Sequence, residues 1–280
     1  EFAVRLPNAI LGIMAVLVVY LLVVELFKVT TTARLTSKES KPTFEVFLAL
    51  FAALLLAVSP WHVSLSRGAF EANLTTFLMP LGVYAFLRGL VSHRWMAVAA
   101  LAFGLNLFSY HSAKLVTPLI IFLLIWWKCK DYTSIRMGVG KSKWAILVFA
   151  LFFSFSIFSF FNGAGSSASD VGIFNPTGGW GAVADRRYEA IQSGLPDAIS
   201  RLFSNKPVYV VAEFIKSYLS YLSPVFLFTQ GAGEATYGMI PGHSILYLFE
   251  LPFVLVALFV SVKRPFAGIL LIIAWILLSP

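Results

Sequence analysis

Residues 8–27 read NAILGIMAVLVVYLLVVELF. The run is apolar without alternation of period two, and it has the length an α-helix needs to cross the hydrocarbon layer of a bilayer. In lipid every backbone N–H and C=O must bond within the protein, so a single run of this kind is a helix. Outward from it, comparable runs fall at 44–59, 74–91, 95–110, 114–127, 144–161, 245–262 and 266–280. Eight candidate spans predict an all-α integral membrane protein, a multi-pass helical bundle.

The composition leads to the same class. Of 280 residues 59% are hydrophobic and 12% charged, with mean hydropathy +0.85. A soluble domain carries about 25% charged residues, so this chain has too little polar surface to cover itself in water. The 27 Phe and 7 Trp suit lipid-facing helices with aromatic ends near the headgroups. The net charge of +8 is read as cationic cytoplasmic loops rather than as a nucleic-acid surface. One cysteine, Cys129, excludes an internal disulfide framework and a cysteine-based metal cluster. A glycine-rich phosphate loop followed by Lys is absent, so no soluble nucleotide is expected. The sequence opens at Glu1 without Met and stops inside an apolar run; it is read as a fragment lacking both ends.

The loops set an orientation. With the N-terminus outside, the inner segments hold Lys28, Arg34, Lys38, Lys41, Arg88, Arg94, Lys128, Lys130, Arg136, Lys141, Lys143, Lys263 and Arg264. The short outer segments hold only Arg5, Arg67 and Lys114, as the positive-inside rule requires. Three parts follow: residues 1–161 as the N-terminal bundle of about six helices, 162–244 as a long extracytoplasmic loop, and 245–280 as further membrane helices. Within the loop, a Gly/Ser-rich stretch at 162–169 leads to a helix over 182–203, broken at Gly194–Pro196. Residues 207–228 are long enough to span. Glu213 and Lys216 would then lie at membrane depth, so the segment is read as an amphipathic helix on the outer surface.

Polar residues collect at one depth, the outer one. Ser59-Pro60-Trp61-His62 runs through Ser66-Arg67-Gly68 to Glu71-Ala72-Asn73, and Ser109-Tyr110-His111-Ser112-Ala113-Lys114 faces it. Arg5 lies at the same level. Arg and Lys at a membrane surface bind a lipid phosphate, Arg through paired donors and Lys as a point charge; the same residues also snorkel to headgroups with no ligand. Glu71 stands four residues from Arg67, a spacing that pairs on a helix. His62 and His111 lack a neighbouring carboxylate motif, so no metal is expected. Asn73-Leu74-Thr75 has the form of a glycosylation sequon but abuts a membrane helix. Glu250, within Leu248-Phe249-Glu250-Leu251-Pro252-Phe253, is an intramembrane acid and so a functional candidate.

Three segments together resemble the membrane glycosyltransferases of the dolichyl-phosphate-mannose–protein mannosyltransferase type, whose prokaryotic relatives include the aminoarabinose transferases. They are Arg5-Leu6-Pro7-Asn8-Ala9-Ile10-Leu11-Gly12; Leu56 to Asn73; and Tyr218-Leu219-Ser220-Tyr221-Leu222-Ser223-Pro224 through Phe228 with His243 to Phe253. The resemblance implies a bundle of the GT-C type. It also implies inverting transfer of a sugar from a polyprenyl phosphate to a protein, lipid or glycan acceptor on the outer face of the cell membrane. It places the catalytic carboxylate in an outer loop ahead of Glu1, with Glu1 itself not assigned that role. It further implies Arg67 and Lys114 as the groups holding the lipid phosphate, with Arg5, His111 and His243 assisting. Glu71 and His62 would support them, and Asp170 and Asp185 would meet the acceptor. Two other classes stay open: a transporter or lipid flippase, and a noncatalytic assembly subunit of the same fold.

Overall fold

The computed structural model describes residues 2–32, 42–68, 70–128, 143–164, 176–231 and 242–263. Lys38, Cys129, Asp170 and the run at 266–280 lie outside them. Among the described residues all regular structure is helical. The elements are α1 (Phe2–Thr32), α2 (Pro42–Val58), α3 (Pro60–Arg67), α4 (Ala72–Val91), α5 (Arg94–Asn106), α6 (Ala113–Lys128) and α7 (Lys143–Ser159). There follow α8 (Pro176–Gln192), α9 (Asp197–Phe203), α10 (Lys206–Leu222), a π-turn at Phe226–Gln230, a 3-10 turn at Leu248–Glu250, and α11 (Leu251–Val262).

Among the described residues, three stretches are long and apolar enough to cross a membrane: Arg5–Lys28, Ala72–Val91 and Lys143–Asn162. A fourth arises if α2 and α3 count as one broken span, bent by 58°. Pro60 explains the bend, since it has no N–H for the preceding turn and its ring clashes there. At the first turn of α3 the same ring is well placed. The stretches Ala113–Trp127 and Leu248–Val260 are apolar but shorter. The run expected to span at 95–110 is cut back. Helix α5 has 13 residues, a length of about 20 Å against a hydrocarbon layer of about 30 Å. It stops at Asn106, whose side-chain amide donates to Thr117 Oγ1 at 2.9 Å. The Ser109 hydroxyl then donates to Asn106 O at 2.7 Å, and Thr75 Oγ1 lies 2.6 Å from Ser109 Oγ. This buried polar chain fixes the turn between α5 and α6.

The chain divides into two compact units, one from Glu1 to Ser156 with Pro224 to Ser279, the other from Ile157 to Ser223. In the first, α1, α4 and α5 pack side by side, with α2 and α3 against α1. Its core is built from small and medium residues, including Ala85, Leu87, Ala99, Ala100, Phe103 and Leu123. The outward faces are as apolar as the inside: Ile13 is 72% exposed, Phe122 63% and Phe155 61%. Such faces need a solvent other than water, so the membrane character of the bundle is visible in its surface.

In the second unit the break between α8 and α9 falls at Gly194, which turns with φ +91°, and at Pro196. Arg187 donates to Ser204 O at 3.2 Å, and the Arg186 guanidinium lies 5.3 Å from the Tyr209 ring centre. Asp197 bonds Arg201 at 2.7 Å, and that hydrogen bond, with the attraction of its charge, raises the Arg201 pKa further. Helix α10 is N-capped by Asn205, which accepts from Val208 N at 2.9 Å. It buries no residue and exposes Val208, Val211, Phe214, Ile215 and Leu219 along one side. It has 17 residues and is not among the stretches long and apolar enough to span.

Candidate functional site

The Ser59–Asn73 cluster is held in place by α1. Helix α3 ends at Arg67, and the chain continues extended through Gly68 before α4 begins. The Asn8 side-chain amide, one turn after Arg5, donates to Gly68 O at 2.8 Å and Phe70 O at 3.0 Å. Asn73, fully buried, returns a bond from its own amide to Asn8 O at 2.9 Å. Two of the segments singled out in the sequence, one near residue 8 and one near residue 70, are thus two halves of one clamp. The burial of Asn73 also leaves its amide unavailable to a glycan.

Between α1 and α3 the approach is close enough to require glycine. A Cβ on Gly12 would run into the Ser66 hydroxyl and lie 2.8 Å from Ser66 Cβ. His62, one turn earlier on the same face of α3, places Nε2 3.3 Å from Gly12 O. Among the described residues, that leaves His62 Nδ1 and Ser66 Oγ buried without a hydrogen-bond partner. Buried polar atoms are paired in most proteins, so two orphans on one helix face call for an explanation.

Both orphans belong to residues lining a cleft of about 440 Å³. Arg5 and Arg67 stand at one end of its lining, and Leu6, Ala9, Ile13 and Val16 of α1 follow at helical spacing, with Ala57 and Val63 opposite. From residue 5 to residue 16 the trough extends about 16 Å along α1. Arg67 and Val63 also line a second cleft of about 180 Å³, with Trp61, Ser64, His243, Ser244 and Tyr247. A third, of about 460 Å³, is lined by Trp61, Thr75, Thr76, Tyr110 and Ser112 among others.

The residues expected to carry function therefore part company. Arg5, His62, Arg67 and His243 come together around two adjoining clefts. Lys114, half-buried at the start of α6, and His111, whose ring touches Tyr110, line none of the three. Glu71 and Arg67 make no ion pair: α3 stops between them, so their four-residue spacing is not a helical one. Asp185 is exposed on α8 in the second unit, and Asp170 is not among the described residues. Glu250 is buried in the 3-10 turn ahead of α11 and lines none of these clefts.

Sequence reading gave no individual role to Ser66, Tyr247 or Glu25. Ser66 and Tyr247 give no signal of their own in sequence. Glu25 did: it is an acid near the end of an apolar run. It is 5% exposed, with Arg88 Nη1 at 3.4 Å and Lys28 Nζ at 3.8 Å. Arg88 also lies over the Trp95 ring at 5.7 Å.

Among the described residues, no group of three or more His, Cys, Asp or Glu side chains is arranged to hold a metal ion. Comparison of the chain with protein-family models, with curated proteins and with solved structures finds no match.

Proposed function

We propose that the chain belongs to a membrane glycosyltransferase that moves a sugar from a polyprenyl phosphate to an acceptor at the outer face of the cell membrane. The observation that carries this reading is the cleft with two arginines at one end and an apolar trough behind them. A ligand that fits has an anionic head and a long hydrocarbon tail. A guanidinium binds a phosphate through paired donors, and the Leu6, Ala9, Ile13 and Val16 side of α1 offers the tail a surface like the lipid around it. The resemblance of the same segments to the mannosyltransferase type supplies the chemistry.

In that chemistry an acceptor oxygen attacks the anomeric carbon as the bond from that carbon to the phosphate oxygen breaks, with inversion. Negative charge grows on the leaving phosphate. Arg67 is fixed beside it and acts most strongly when that charge is largest. Arg5 holds the phosphate from α1, and Ser66 and His62 line the same cleft. The reading leaves the carboxylate that activates the acceptor to the segment ahead of Glu1 which the resemblance implies, and it does not use Lys114 or His111. No cofactor or metal enters it.

The test is transfer of radiolabel from a panel of polyprenyl-phosphate sugars to cell-envelope acceptors by the full-length protein. Arg67→Ala is expected to lower the rate about 10²–10³-fold while leaving the thermal transition of the purified protein in place. Normal turnover by Arg67→Ala sinks the reading.

A second reading draws on the bent α2–α3 pair, since broken helices are a transporter feature. A lipid flippase would move a labelled polyprenyl phosphate across a vesicle membrane with no transfer of sugar. A folded protein that does neither would be a noncatalytic subunit.

A further inference from the structure

We propose that the second unit is an inside-out body held on the bilayer surface by the apolar face of α10, through apolar contact rather than charge. Helix α10 is the wrong way round for a body in water. Tyr209, Glu213 and Ser217, spaced by four, are half-buried, while Val208, Val211, Ile215 and Leu219 are exposed. A surface helix of a water-soluble domain turns its apolar stripe to the core and its polar stripe outward. Here the polar stripe faces the rest of the unit, and the Arg186 guanidinium of α8 lies 5.3 Å from the Tyr209 ring centre.

Helix α9 repeats the pattern. Ser200 is buried and its hydroxyl donates to Arg187 O at 3.3 Å, whereas Ile199, Leu202 and Phe203 are exposed. Arg187 in turn donates to Ser204 O at 3.2 Å. Polar bonds tie the unit together and its apolar side chains are left outside. Among its described residues Val183 is the one buried apolar side chain. Apolar surface left over in this way marks a contact with a partner or a membrane.

The course of the chain selects the membrane. The unit is entered from Lys143–Asn162, a stretch long and apolar enough to span. The chain leaves it at Pro224, two residues past the end of α10, for the bundle with apolar outward faces. A unit tethered at both ends to such helices stays within reach of the bilayer surface. Helix α10 has 17 residues, a length of about 26 Å, and carries Glu213 and Lys216 in its middle turns. It therefore lies flat, with its apolar face about 5–10 Å into the boundary between headgroups and acyl chains.

Charge adds little to the hold. Lys216 has Glu213 at 3.8 Å, and Arg201 has Asp197 at 2.7 Å. Cations already paired within the unit offer little to anionic headgroups, so the apolar area remains as the source of affinity.

The experiment places single nitroxide labels at Val211→Cys, Ile215→Cys and Ser220→Cys in the full-length protein, with Cys129→Ser removing the native thiol. All three labelled residues are exposed, and Ser220 lies about 140° round the helix from Ile215. The protein is reconstituted in phosphatidylcholine vesicles, with and without phosphatidylglycerol. Relaxation by oxygen, which concentrates in hydrocarbon, is compared with relaxation by a nickel chelate, which stays in water. Oxygen is expected to dominate at Val211 and Ile215 and nickel at Ser220. That order should survive removal of the anionic lipid and about 1 M salt, which screens ionic attraction. Nickel dominating at all three sites means the face stands in water and overturns the inference. Exclusion of both reagents from Val211 and Ile215 means that protein covers the face, and overturns it too. An order that holds only with anionic lipid at low salt overturns the claim that apolar contact suffices. No donor or acceptor enters the measurement, so its outcome is independent of the glycosyl-transfer reading.

Discussion

The bundle carries basic residues at both ends of α1, and the two ends use them in opposite ways. At the Lys28 end, Arg88 and Lys28 close around the buried Glu25, and Trp95 covers the guanidinium. At the Arg5 end, Arg67 makes no ion pair among the described residues and opens on two clefts, with two orphaned polar atoms beside it. A charge that has its counter-ion holds helices together and has little left to offer a ligand. A charge presented without one, next to polar groups that also lack partners, is a place where something else binds.

The comparison is tested most sharply by Arg67→Ala against Arg88→Ala. The first is expected to abolish most transfer at unchanged stability. The second should leave transfer intact but cost about 1–3 kcal/mol of stability, because Glu25 loses its closer partner; a thermal melt in detergent beside the transfer assay reads both. Loss of transfer in Arg88→Ala would mean that the two ends are coupled. Next in size is Gly12→Val. Its branched side chain would push α3 off α1, displacing Arg67 and costing about 1–3 kcal/mol through overpacking, with transfer reduced along with it. Asn8→Ala is expected to be milder. The Gly68 and Phe70 carbonyls lose their donor, stability falls by about 1 kcal/mol, and transfer drops about ten- to hundredfold as the loop after Arg67 loosens. An Asn8→Ala protein that melts early but transfers normally would show that the clamp serves only stability.

Much of the helical layout was legible because hydropathy and proline act locally. The run at 8–27 falls within α1, and the break in the second unit falls at Gly194–Pro196, but the helix Pro60–Arg67 stands where only an outer connection was expected. The length of α5 was not legible. Its end depends on Asn106 meeting Thr117 and Ser109 meeting Thr75, contacts between residues far apart in sequence. The site was half legible. Arg5, Arg67 and His62 stood out as polar groups at one depth, His243 entered only through the resemblance, and the fold gathers them around two clefts. Lys114 and His111 share that depth but not the clefts, since depth along a helix says nothing of position around the bundle. The Arg67–Glu71 pairing failed because a spacing rule holds only while the helix continues. Glu25 was missed because Arg88 was counted as a loop charge rather than as a partner.

The bend between α2 and α3 has a consequence for how a ligand arrives. Eight residues of helix, Pro60–Arg67, rise about 12 Å when they continue straight. Tilted by 58°, they rise only about 6 Å along the axis of α2. With α2 along the membrane normal, that is about the depth of one headgroup layer. Arg67 would then stay level with the lipid heads instead of standing clear in water. On the proposed reading, a polyprenyl phosphate would reach the guanidinium by diffusing within its own leaflet, so delivery would be two-dimensional and would depend on how crowded the leaflet is rather than on any concentration in the surrounding water.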